Sequence, residues 1–110
     1  MSRPRHRWWG YAKNCVRDYP ALRAAAEHAR KPENRLRPED RRELRAVEAA
    51  AAETAALPDG PLRMELIERV YWKKTHSLQG AAMRVNVSYA TAKRWHRQFI
   101  AAVGRRLRLM

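Results

Sequence analysis

The stretch from Leu78 to Arg97, LQGAAMRVNVSYATAKRWHR, leaves the chain little freedom of fold. Ala82 falls where one helix must pack closely on a second, Val85 and Val87 flank a turn with Asn86 between them, and Ala92 and Trp95 return to the inner side of the second helix. Small, apolar, turn, apolar, small, apolar is the pattern that two steeply crossing helices need, so the spacing predicts a helix-turn-helix. The residues left outward on the second helix are Ser88, Tyr89, Ala90, Lys93, Arg94 and Arg97. That face is polar and basic, as a helix lying in the DNA major groove requires. The plainer reading of the same pattern is a helical hairpin with a solvated basic face.

Elsewhere no strand alternation is visible and the whole chain reads as all-α. Trp8, Tyr11, Ala12, Cys15 and Tyr19 recur at helical spacing and define a first helix. Pro20 interrupts it and suits the first turn of a second helix running to about Arg30, which Pro32 ends. Residues 31–37, KPENRLR, read as a polar linker. Pro38 opens the next helix, with Glu39 and Asp40 at its positive end and an apolar stripe of Leu44, Val47, Ala51 and Ala55. LPDGP at 57–61 is a turn by composition. Leu62, Leu66, Val70 and Tyr71 mark a helix ending near Lys74. Ser77 and Ser88 stand where N-caps belong. The last helix then runs to about Leu107 with Ala92, Trp95, Phe99, Val103 and Leu107 inward, and Gly104 weakens its end by about 1 kcal/mol.

The chain of 110 residues is long enough for one domain. We divide it into an N-terminal helical support region, 1–56, and a helix-turn-helix region, 61–110, within one compact unit. Much of the apolar content is alanine, which buries little area, so the core is expected to be thin and closely packed. The net charge is +13, an imbalance that calls for a polyanionic partner. Nucleic acid is the commonest such partner and an anionic membrane surface the rival, yet no segment is long and apolar enough to span a bilayer. The charge is unevenly placed: residues 1–37 sum to +7, residues 38–60 to −3 and residues 61–110 to +9. Two basic ends around an acidic middle suggest two nucleic-acid contacts, or one contact and one basic tail. With Cys15 the only cysteine there is no internal disulfide, and no apolar run follows the basic N-terminus as in a secretory signal, so the expected place is the bacterial cytoplasm, at the nucleoid.

Within the motif, Arg94 suits bidentate reading of guanine, while Lys93 and Arg97 suit phosphate; spacing does not separate the two roles. Ser77 and Gln79, at the start of the preceding helix, are candidates for phosphate contact. Lys73, Lys74 and His76 sit between two helices, where a DNA backbone passes or a solvated loop lies. Thr91 faces either the core or a phosphate. The spacing of Trp95 with Ala92 and Phe99 makes it core rather than a base-stacking residue. In RPRHRWWGY, aromatic residues beside arginines suit single-strand stacking or a minor-groove arm, or else a basic tail leading into a helix anchored by Trp8, with Trp9 open. Arg3, Arg5 and Arg7 add non-specific affinity. The alanine tract suits either a tight homodimer face or close packing within the chain.

Catalysis is not expected. His6, His28, His76 and His96 lack zinc-ligand spacing, no Ser/His/Asp set or glycine-rich phosphate loop is present, and Glu65 and Glu68 on one helix face read as solvated. No metal or cofactor is expected either.

The segment LIERVYWKKTHSLQGAAMRVNVSYATAKRWHRQFIAAVGRRL resembles the sigma-factor region-four type of helix-turn-helix. More narrowly it is similar to small phage and prophage regulators of the RinA/ArpU type, through VYWKK, SLQGAAMRVNVS and TAKRWHRQF. RWWGYAKNCVRDYP and RELRAVEAA…LPDG look like the leading helices of that group, and the likeness is closest over residues 66–107. The resemblance implies a sequence-specific binder of double-stranded DNA that controls phage gene transcription, with a module of the kind that touches RNA polymerase. The middle segment is shorter and richer in alanine than the group's pattern, and the turn carries Asn86 where many such motifs have glycine; asparagine tolerates positive φ. The promoter-melting apparatus of a full sigma factor is not expected here. Rival readings are a small-terminase-like DNA recognition subunit, a basic RNA-associated helical protein and a protein-interaction module.

Overall fold

The computed structural model describes residues 7–28 and 36–108. Arg3, Arg5, His6, Arg30 and Pro32, with the linker over 31–35, lie outside the described residues. The chain folds as α1 (Arg7–His28), α2 (Pro38–Ala55), α3 (Gly60–Ile67), α4 (Leu78–Arg84) and α5 (Tyr89–Arg106), with no strand among the described residues. A single π-helical turn, Glu68–Trp72, prolongs α3.

Pro20 does not begin a second helix: α1 continues through it. A proline inside a helix removes the N–H that would bond to the carbonyl four residues back. Here that carbonyl belongs to Val16, which is fully buried, and the indole N–H of Trp72 donates to it at 2.8 Å. A side chain from the π turn thus supplies the donor that Pro20 lacks. Trp72→Phe is expected to cost about 1–2 kcal/mol by leaving this carbonyl bare. The loss should shrink in a Pro20→Ala background, where residue 20 regains its N–H; a double-mutant cycle in urea measures the coupling.

In α2 the buried residues are Leu44, Ala46, Val47, Ala50 and Thr54. Ala51 is only half-buried and Ala55 is exposed, which corrects the expected stripe. The reason is that α2 packs on both α1 and α5, so its inner sector is rotated and widened toward Ala46 and Ala50. The 57–61 turn is shorter than expected, because Gly60 and Pro61 already belong to α3. A Cβ on Gly60 would lie 2.3 Å from the Ala55 carbonyl oxygen, so this glycine is required for close approach rather than for a positive φ. Leu62 is exposed, and Ile67 takes the inward place beside Leu66.

The π turn has the hydrogen bond from Lys73 N–H to the Glu68 carbonyl at 2.7 Å. Its extra residue per turn shifts the register of the helix beyond it. It buries Tyr71 and lets Trp72 reach α1.

Two apolar clusters result. The larger joins Ala12, Cys15 and Val16 of α1 to Ala46, Val47 and Ala50 of α2, to Ile67 and Tyr71, and to Phe99, Ile100 and Val103 of α5 with Leu107 just beyond it, and has Trp8, Trp9, Tyr19 and Trp72 at its rim. The smaller holds Leu66, Ala81, Ala82, Val85, Ala92 and Trp95. Trp8 and Trp9 therefore both pack on the core. All five expected inward residues of α5 are buried. Gly104 does more than weaken the helix end, since a Cβ there would come within 2.8 Å of the Trp8 ring. Burial of each large aliphatic or aromatic side chain contributes about 1.5–3 kcal/mol, far more than an alanine, so stability rests on a few large side chains, Leu66 and Ile67 of α3 with Phe99 and Ile100 of α5 among them.

Candidate nucleic-acid interface

The connection between α4 and α5 is built by local rules. Ser77 is extended and its Oγ accepts the Gly80 N–H at 3.1 Å; Ser88 is extended and its Oγ accepts the Thr91 N–H at 3.1 Å. Each serine satisfies a donor that a helix start leaves open. The end of α4 is closed by two nested bonds, Asn86 N–H to the Met83 carbonyl at 3.2 Å and Val87 N–H to the Ala82 carbonyl at 3.0 Å. That closure needs a left-handed residue at its apex, a place usually taken by glycine or asparagine. Asn86 occupies it with φ of 63°. Beneath the turn Ala81, Ala82 and Ala92 are almost fully buried, and their small side chains let α4 and α5 approach closely.

All ten candidate contact residues are exposed: Ser88, Tyr89, Ala90, Lys93, Arg94 and Arg97 on α5, Ser77 and Gln79 at the start of α4, and Lys73 and Lys74 before it. Some are already engaged. Lys73 pairs with Glu68 at 3.0 Å, and the Lys93 ammonium sits 4.7 Å from the centre of the Tyr89 ring, which restrains both side chains. No carboxylate pairs with Lys74, Arg84, Lys93, Arg94 or Arg97 among the described residues. The sequence explains this: Glu68 is the last acidic residue, and ten lysines and arginines follow it. Arg84, at the exposed end of α4 beside Met83, belongs to the same unpaired set and was missed in the sequence; its signal is the acid-free run itself.

The two halves of α5 differ. From Tyr89 to Gln98 one side is open to solvent, whereas Phe99, Ile100, Ala102, Val103 and Gly104 are buried between α1 and α2. The second half of α5 is thus anchored in the main core, while its first three turns pack on α3 and α4 through Ala92 and Trp95 and leave one side exposed.

Three residues behind this face are structural. Trp95 is buried, with the Arg63 guanidinium 5.2 Å from its ring centre; Arg63 is in turn fixed by Asp59 at 2.8 Å and by Gln98 at 2.6 Å. Thr91 is half-buried, and its hydroxyl accepts from Ser88 at 3.0 Å. His96 lies 2.7 Å from the Tyr71 hydroxyl, stacked on that ring, with Trp9 edge-on. Burial, reinforced by the positive charges of Lys13 and Arg97, pushes His96 down to about 4, and burial pushes Tyr71 up to about 12. His96 is thus neutral at physiological pH and adds no charge to the basic face.

A second basic surface was not foreseen. Arg41, Arg42 and Arg45 of α2 line an open cleft with Arg106 of α5. No helix is long and apolar enough to cross a membrane, and no cluster of His, Cys, Asp or Glu suits a metal ion, among the described residues. The fold and these surfaces define an all-helical protein with two exposed cationic faces. Comparison with protein-family models, with curated proteins and with solved structures returns no match.

Proposed function

We propose that this chain is a sequence-specific double-stranded DNA-binding regulator of transcription, of phage or prophage type, in which α4, its turn and α5 act as a helix-turn-helix. The first half of α5 enters the major groove. The observation that carries the reading is the exposed, carboxylate-free face from Tyr89 to Arg97 on a helix whose other half is locked in the core. Base reading demands such rigidity, because a side chain discriminates only when its backbone is held in register with the groove. In this role Arg94 reads a base edge, and Lys93, Arg97 and Lys74 contact phosphate. Ser77 and Gln79 meet the backbone at the start of α4. RNA polymerase contact and homodimerisation belong to the same reading as further partners.

Selection of bound duplexes from a random pool, at low and physiological salt, tests the proposal. A short motif that survives the higher salt supports it. Binding without a motif that vanishes as salt rises, or folded RNA bound at least as well as duplex, overturns it, and a ring-sized mass favours the terminase-like alternative. With the motif in hand, Arg94→Ala should weaken specific binding by tenfold to a hundredfold, corresponding to about 1–3 kcal/mol, and non-specific binding much less. Lys74→Ala should weaken both alike and lower the salt slope by about one. Lys74 is the better probe than Lys73, which Glu68 already holds.

A further inference from the structure

We infer that the arginine cleft between α2 and the end of α5 is a second duplex-phosphate site, so that one chain holds two DNA segments on opposite sides. For the first of these contacts the inference rests on the reading of the α4–α5 face given above.

The cleft arises because α2 sorts its charges only when folded. Glu43 accepts from the Tyr11 hydroxyl and Glu48 from the Tyr19 hydroxyl at 3.4 Å, so both turn toward α1; Asp40 is held by Arg37 at 3.1 Å. The arginines are left on the other side. Arg42 donates to the Leu107 carbonyl at 2.7 Å, which fixes it across the end of α5. Arg106 reaches Glu53 at 3.1 Å, with Arg105 at 3.9 Å from the same carboxylate. Among the described residues neither Arg45 nor Arg41 pairs with a carboxylate, and the Arg41 guanidinium donates to the Leu36 carbonyl at 3.5 Å. Of the four arginines that line the cleft, Arg106 alone is in a salt bridge among the described residues.

The lining decides between nucleic acid and an acidic peptide. Apart from the arginines, its lining among the described residues is Pro38, Ala46 and Ala49. A protein partner needs a buried aromatic or large aliphatic anchor, and the described residues of this cleft form no apolar pocket to receive one. A phosphate backbone needs none, and the planar guanidinium fork matches phosphate oxygens.

Position supplies the second half of the argument. Arg97 and Arg106 lie on one continuous helix, nine residues apart. That places them about 180° around the axis and about 13 Å along it. With a helix width of about 10–12 Å between them, the two faces are separated by more than the Debye length of about 8 Å at physiological salt. Phosphates on the two sides are screened from one another.

Sedimentation of the full chain with excess duplex of about two helical turns, roughly 20 base pairs, tests this. The expected complex carries two duplexes per chain, whether the chain is single or paired with a second copy. The Arg41→Gln/Arg45→Gln variant should bind one duplex, with its first affinity changed less than about twofold, and Arg41→Lys/Arg45→Lys should keep the second. Lys93→Gln/Arg94→Gln/Arg97→Gln should also bind one, through the cleft and without sequence preference. One duplex per wild-type chain, lost with the α5 substitutions, overturns the inference and leaves the major-groove reading standing. One duplex lost only with the α2 substitutions overturns both the two-segment inference and the major-groove reading. Polyglutamate captured by the cleft where duplex is not overturns the nucleic-acid assignment in favour of an acidic protein partner.

Discussion

Replacing Gly60 with alanine is expected to cost about 3 kcal/mol or more, the upper end for an overpacked site. The added Cβ would stand 2.3 Å from the Ala55 carbonyl oxygen and 2.6 Å from both the Ala55 carbonyl carbon and the Thr54 carbonyl oxygen. All three are backbone atoms, so no rotamer change relieves the clash. The surrounding turn is tied down by Gly60 N–H to the Leu57 carbonyl at 2.8 Å and by the Arg63–Asp59 ion pair at 2.8 Å. Relief requires α3 to move off α2, and α3 carries Leu66 and Ile67, one in each apolar cluster. Urea unfolding measures the loss. Gly10→Ala is the control, because nothing lies within 4 Å of its Cβ position and alanine favours the helix by about 1 kcal/mol. If the two substitutions are tolerated alike, the close crossing of α2 and α3 is wrong.

The second large effect is a loss of stability in acid, governed by His96. In the unfolded chain the imidazole titrates near 6.5, whereas in the fold burial lowers it to about 4. Between those values the unfolded chain binds a proton that the folded chain refuses, so stability falls as the pH falls. The contribution is fully present above pH 6.5 and declines toward pH 4, by roughly 3 kcal/mol in all. His96→Gln keeps a hydrogen-bonding group near the Tyr71 hydroxyl but cannot take up the proton. Its urea midpoint should therefore change less between pH 7.5 and pH 4.5 than that of the parent chain. Equal slopes in the two proteins would mean that His96 is not sequestered between Tyr71 and Trp9.

How far these features were legible depends on whether their causes are local. Ser77, Ser88 and Asn86 act within four residues of themselves, and the structure has both caps and the positive φ where the sequence places them. The stripe Ala92, Trp95, Phe99, Val103 and Leu107 was legible because large and polar residues alternate around it. The alanine tract of α2 offers no such contrast: nearly every position is small, so periodicity cannot say which face is inward, and packing against two neighbours decides it. Pro20 misled because its missing donor is replaced by Trp72, from another helix. The π turn leaves no mark in composition. The outward set on α5 was readable from spacing, whereas the arginine cleft was masked because residues 38–60 sum to a negative charge and separate by sign only once coiled.

The bond between Trp72 and the Val16 carbonyl also sets an order in which a lineage could have acquired two residues. With tryptophan at 72 and an ordinary residue at 20, the helix ladder of α1 is whole and the indole is merely spare. With proline at 20 and no indole at 72, a buried carbonyl is left bare. Tryptophan first is therefore the order that never leaves the carbonyl bare, and while proline stands at 20 the tryptophan is not free to be exchanged. An exposed proline on one helix thus holds a rim aromatic on another in place for as long as the proline itself stays.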